Sequence, residues 1–296
     1  MGAELLTFID AHHRLWDLDH CHYPWLMARG IKRFFGDPTP IQTNYLPADF
    51  LAESPRYVPT ASVHVQVGVS RSDEVRETEW LQSLHPYPQA IVGAADLSAP
   101  NLTKLLEAHT ASDRFRGCRQ ILGRHREEDK KHGSDALLDN PAFVDGLREL
   151  ATWGLSFDLQ MIPRQMPRVI AALRQVPELR VALCHCGSPW EQDREGLEHW
   201  RIGLRQLAGL PNIGCKISGL GMFNPDWDPQ DLRPLILDVI DIFSPARVMF
   251  GSNFPVDKLY NSYDALWRAY EMATAEFTCA ERHQMFYETA ANFYRI

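Results

Sequence analysis

Eight short runs rich in β-branched residues alternate with longer amphipathic stretches along this chain, and no other feature limits its fold as tightly. Parallel neighbours in a sheet need a crossover of a dozen or more residues, so strand, helix-length segment, strand is the grammar of a parallel sheet covered by helices. The runs read as strands at Leu6–His12, Ala61–Val67, Ala90–Ala94, Phe115–Ile121, Ser156–Gln160, Arg180–Cys184, Ile213–Ile217 and Val248–Gly251. Eight such units predict a (β/α)8 barrel, and 296 residues with 45% hydrophobic content suffice to build it as a single domain over 1–296.

The intervening segments carry helix signals. Asn140 and Pro141 read as an N-cap and first turn, followed by Phe143, Leu147 and Leu150 at helical spacing, which predicts a helix outside the barrel. Thr278 with Glu281 forms a capping-box pattern before Met285, Phe286 and Phe293, predicting a closing helix. Two stretches break the alternation: Asp17–Leu46, rich in aromatics and proline, and the charged Gly123–Leu138. Both follow strands, so both are expected to overhang the barrel mouth.

A net charge of −8 without a basic block argues against a nucleic-acid partner and favours a small-molecule substrate. Charged residues interrupt every apolar run before it reaches membrane-spanning length, and the first residues lack a basic leader, so no membrane partner and a cytoplasmic location are expected. Cys21, Cys118, Cys184, Cys186, Cys215 and Cys279 show no CxxC spacing and are expected to be reduced and buried. Oligomeric state is left open.

Loops after the strands form the active face of such barrels, so polar residues at strand ends carry the functional weight. This filter selects His12 and Arg14 on the first strand, His64 and Gln66 on the second and Arg119 on the fourth. It adds Asp158 and Gln160 on the fifth, His185 on the sixth, Lys216 and Ser218 on the seventh and Asn253 on the eighth. Side chains two apart share a strand face. Plainer roles stand beside these: Arg14 and Arg119 as buried ion pairs with Asp10 or Asp158, Lys216 as partner of a neighbouring carboxylate, His13 and His64 as second-layer histidines. Cys184 and Cys186 read as packing residues, and 124–131 as a solvated charged run. Trp16, Tyr23, Trp25, Trp190 and Trp227 read as pocket wall or as loop anchors. GxSxG, GxxxxGK[ST] and HExxH motifs are absent, which removes nucleophilic-serine and nucleotide-dependent schemes.

Several segments, in order, resemble the amidohydrolase-related superfamily in its lactonase branch. They are Ile9-Asp10-Ala11-His12-His13-Arg14-Leu15-Trp16-Asp17, Tyr23-Pro24-Trp25-Leu26, Arg116-Gly117-Cys118-Arg119-Gln120 and Phe157-Asp158-Leu159-Gln160. They continue with Cys184-His185-Cys186-Gly187-Ser188-Pro189, Lys216-Ile217-Ser218-Gly219-Leu220 and Met249-Phe250-Gly251-Ser252-Asn253-Phe254-Pro255-Val256. The resemblance implies a barrel hydrolase that attacks a ring ester with water. It also exposes two departures: the family's usual His-x-His has Arg14 in its second position, and its usual catalytic aspartate is Asn253. A guanidinium has no lone pair for a metal, and an amide is no base.

The resulting expectation is a hydrolase of a small oxygen-rich or carboxylated lactone with no cofactor or only a weakly held divalent metal such as zinc, on His12 and His185. His185 is the first choice of base and Asp257 the reserve, with Arg14 polarising the carbonyl and Asn253 orienting water. Arg119, Lys216, Asp158, Gln160 and Gln66 are assigned to the substrate. A metal-dependent decarboxylase or amidohydrolase of the same superfamily, and a barrel that has lost catalysis and binds a ligand, remain as alternatives.

Overall fold

The computed structural model describes residues 6–126, 128–129 and 135–296; positions 127, 130 and 131 of the charged run, and the first five residues, lie outside the described residues. Eight parallel strands pair in sequence order: β1 (Ile9–His13), β2 (Ala61–Val65), β3 (Ala90–Ala94), β4 (Phe115–Ile121), β5 (Ser156–Gln160), β6 (Val181–Leu183), β7 (Ile213–Ile217) and β8 (Val248–Phe250). Backbone bonds from Asn253 N to His12 O (2.6 Å) and from Arg14 N to Phe254 O (2.8 Å) join β8 to β1 and bring the sheet round to a barrel. Gly251 makes this approach: a Cβ there would stand 2.7 Å from the His12 nitrogen. The buried Asp10 carboxylate ties the same seam, accepting from Ser252 N (2.9 Å) and the Tyr263 hydroxyl (3.0 Å).

The strands at β3, β4, β5 and β7 have the expected limits, whereas β1, β2, β6 and β8 differ by one to three residues at an end. The largest chemical consequence is at β6. It stops at Leu183 because Cys184–Gly187 wind into a 3-10 turn in which His185 (φ 53°) and Cys186 (φ 54°) adopt left-handed backbone. His185 is therefore not a strand residue, and strand alternation does not describe the cysteines beside it.

Two apolar layers result. Phe143, Leu147 and Leu150 of the helix Pro141–Thr152 are buried, Asn140 Oδ1 accepts from Ala142 N, and Phe143 meets Phe157 of β5 on the outer face of the barrel. Inside the barrel, Ile9, Ala11, Val63, Val65, Val92 and Met249 pack together. A register shift between Asp10 and His13 then turns His12 and Arg14 to the mouth. After the Thr278–Glu281 capping box, helix Cys279–His283, a π-helical turn and helix Thr289–Tyr294 carry Tyr294 into the interior layer. Five cysteines are buried and free, but Cys279 is exposed, since it follows the cap Thr278 on a helix that begins at the surface. Among the described residues no helix is long and apolar enough to cross a membrane.

Candidate active site

The left-handed turn after β6 aims His185 across the mouth, where its ring centroid lies 4.5 Å from that of His12. Left-handed backbone is unfavourable for residues other than glycine and persists where surrounding contacts enforce it. Here Gly219, itself at φ 66°, leaves the ring its room, for a Cβ at that position would come within 2.6 Å of His185 Nδ1. Nδ1 stands 2.9 Å from Ser218 Oγ, while Nε2 is buried without a hydrogen-bond partner among the described residues. Burial, then the charges of Arg14, Arg119 and Lys216, hold the imidazole well below its usual pKa, so it is neutral at pH 7.

Arg14 sits between the strand-end side chains. Its Nη1 donates to the carbonyls of Val65 (3.4 Å) and Gln66 (3.1 Å), and its Nη2 to His12 Nε2 (3.2 Å) and Asn253 Oδ1 (2.9 Å). Since an arginine only donates, His12 must accept at Nε2 and carry its proton on Nδ1. Asn253, also left-handed (φ 57°), passes the chain on by donating to Asp257 Oδ1 at 2.8 Å. Burial lifts the Asp257 carboxyl to about 7, against the lowering effect of the Asn253 bond.

Arg119 is bound differently. Its Nη2 reaches the same Gln66 carbonyl (2.5 Å) and its Nη1 meets Gln160 Oε1 (3.0 Å), but Nε is buried with no partner among the described residues. Neither Arg14 nor Arg119 forms an ion pair with a carboxylate of the described residues; the expected alternatives, Asp10 and Asp158, are engaged elsewhere. Asp158 accepts from Lys216 Nζ at 2.6 Å and from the Tyr294 hydroxyl at 2.9 Å, all three fully buried in the barrel interior. Gln66 spends its side-chain oxygen on Gly68 N.

A cavity of about 280 Å³ opens at this mouth. Arg14, Arg119, Gln160 and His185 line it, whereas Lys216, Asp158, Asn253, Asp257, Gln66 and His12 stand behind or beneath its wall. Of the aromatic candidates Trp25 lines it; Trp16, Tyr23 and Trp227 are buried away from it, and Trp190 packs above on Phe34 and Phe223. The two irregular stretches do overhang the mouth and supply lining residues that the strand-end filter missed: Arg33, Phe34 and Phe35 from the first, Arg124 and Glu128 from the second. Arg124 is thus a pocket residue and not part of a solvated face. His13 stacks on Phe50 (4.3 Å) outside the cavity, and His64 Nδ1 accepts from Leu15 N at 3.1 Å.

A family model described as amidohydrolase matches residues 9–296. The uncharacterized protein y4mH of Sinorhizobium fredii is 40% identical over 98% of this chain and 99% of its own length. An L-fucono-1,5-lactonase of Burkholderia multivorans is 32% identical, covering 97% of this chain and 96% of that one. Crystal structures of an amidohydrolase from Burkholderia multivorans, one with bound HEPES and one with bound zinc, match with a TM-score of 0.83 at 27% identity over 98% of this chain and 100% of theirs.

Proposed function

Since the chain belongs to the amidohydrolase family, we propose that this hydrolase opens a small lactone ring by direct water attack, without a metal at its catalytic centre. The observation that carries the reading is the pairing, in one cavity, of a neutral His185 and a buried Arg119 whose Nε2 and Nε–H, respectively, have no partner among the described residues. One is a base for the water, the other a donor for the carbonyl oxygen. The lactone preference draws on the similarity to the L-fucono-1,5-lactonase.

In this scheme His185 Nε2 takes a proton as water adds to the ring carbonyl, and the developing oxyanion meets Arg119. Preorganised donors aimed at such an oxyanion commonly supply the largest part of a rate enhancement. Arg14 contributes as a fixed charge, because its four Nη contacts are already directed at protein acceptors. When the tetrahedral carbon collapses, the ring C–O bond breaks and the imidazolium returns its proton to the departing alkoxide, giving a hydroxy acid. The anion forming beside His185 also offsets the positive charges that depress it, so the base strengthens as the reaction proceeds.

The metal-free part is supported by a poor fit of the donor set to a divalent ion. Zinc in a catalytic site takes three protein ligands and an open position. Here the guanidinium of Arg14 already claims His12 Nε2 and Asn253 Oδ1, and an ion between His12 and His185 would face that charge at contact distance. Hydrolysis of a lactone panel before and after chelation, with elemental analysis of the purified protein, tests the proposal. Ring-opened acid formed without bound metal is expected; carbon dioxide release, or no turnover of any lactone, would sink it.

A further inference from the structure

Among the described residues the charges lining the cavity are lopsided: four guanidiniums, Arg14, Arg33, Arg119 and Arg124, face one carboxylate, Glu128. In a chain whose net charge is −8 this concentration is local to the site. Arg14 and Arg119 belong to the reacting end. Arg33 and Arg124 stand at the other end, where the loops after β1 and β4 meet and Phe34 of the first stacks on His125 of the second, ring centroids 6.3 Å apart.

Glu128 reaches across from the second loop and pairs through Oε1 with Arg33 Nη2, its side chain only 13% exposed. The contact is incomplete. Glu128 Oε2 and Arg33 Nε are both buried and both lack a hydrogen-bond partner among the described residues. The Arg124 guanidinium has no hydrogen bond among the described residues, for the neighbouring Asp129 carboxylate accepts from the Arg124 backbone N–H (3.0 Å to each oxygen). Buried charges held by one contact forfeit much of their hydration for little return, whereas an arginine fork binds a free carboxylate through two parallel bonds.

We propose that Glu128 is a resident carboxylate occupying the anion position at this end of the cavity in the free enzyme, and that it exchanges for a carboxylate carried by the substrate. The inference rests on the lactonase reading and narrows it to ring esters bearing an acidic group remote from the reacting carbonyl. Glu128 thereby acts as a specificity filter: a neutral ring offers nothing to displace it, and an acidic one completes the bonds that it leaves unmade.

Calorimetric titration with glutarate, which is not hydrolysed, tests the exchange independently of turnover. Glu128→Gln removes the competing charge and should tighten glutarate binding by about tenfold, since it abolishes a like-charge opposition; Arg124→Met should weaken it. Unchanged or weaker binding to Glu128→Gln overturns the proposal. The wild-type protein gives a second reading that needs no variant: kcat/KM for a carboxylated lactone should exceed that for its methyl ester by on the order of tenfold or more, and equal values overturn it. If no lactone is turned over but Glu128→Gln still tightens glutarate, the hydrolytic reading fails and the anion exchange stands.

Discussion

Arg14 Nη2 lies 3.2 Å from His12 Nε2, so the guanidinium has taken the lone pair by which that histidine would hold a metal. The wild-type protein is therefore expected to leave purification with near-zero tightly bound zinc and to keep its hydrolytic activity in chelator. Arg14→His combined with Asn253→Asp restores a plausible donor set and should raise retained zinc to near stoichiometry. Stoichiometric zinc in the wild-type protein, lost together with activity on chelation, contradicts this assignment.

The acid limb of the kcat/KM profile identifies the base. His185 is held well below 6.5 by burial and by the neighbouring cations, so it is already unprotonated at neutral pH and the limb should fall well below 6.5. Asp257, the reserve, is lifted to about 7 and would place the limb there. Arg119→Gln removes a positive neighbour, raises the His185 pKa and should move the limb to higher pH. A limb near 7 that ignores this substitution would transfer the role to Asp257.

Gly219→Ala is predicted to damage turnover more than folding. Its Cβ would press on His185 Nδ1 from 2.6 Å at a backbone position of φ 66°. A displaced catalytic ring can cost on the order of a hundredfold in kcat. Steady-state kinetics alongside a urea unfolding curve separate the two effects, and an unchanged kcat would show that the ring does not depend on this glycine.

Removing one member of the buried Lys216–Asp158 pair strands the other. Lys216→Met should lower stability by about 3–5 kcal/mol, the usual cost of leaving a buried charge uncompensated. Adding Asp158→Leu should recover part of that loss in urea titrations. Additive losses in the double variant would mean that the two charges do not depend on each other.

Asp257 also shapes the dependence of stability on pH. Its carboxyl titrates near 7 in the fold against 3.8 when exposed, so the folded state keeps a proton that the unfolded chain releases between those values. The stabilisation is complete below 3.8 and is lost as pH rises through 7. Asp257→Asn should flatten, though not abolish, the fall in melting temperature across that window, because Asp10, lifted to about 6, titrates in the same range. A slope identical to that of the wild-type protein would refute this account.

How much of this could be read from the residues depends on how local each cause is. β3, β4, β5 and β7 have the limits expected from their apolar runs, because a buried strand bounded by turns leaves its signature in its own residues. His185 was found by its place after a strand, but its orientation was not: left-handed backbone at a histidine and a cysteine follows from neighbours such as Gly219, not from their own preferences. Arg33 and Glu128 are 95 positions apart, so nothing local announces their meeting. The overhanging stretches were visible as irregularities, yet which of their charges turn inward is decided by the aromatic packing of Phe34, His125 and Trp190.

The bond from Tyr294 to Asp158 spans 136 positions. During synthesis the aspartate and its lysine, 58 positions apart, emerge well before the tyrosine that completes their shell. The last turn of helix therefore closes the shell of an ion pair made by strands far earlier in the chain, with the Tyr294 hydroxyl on Asp158 and its ring 4.8 Å from Lys216 Nζ, so losing that turn would uncover a buried charge pair.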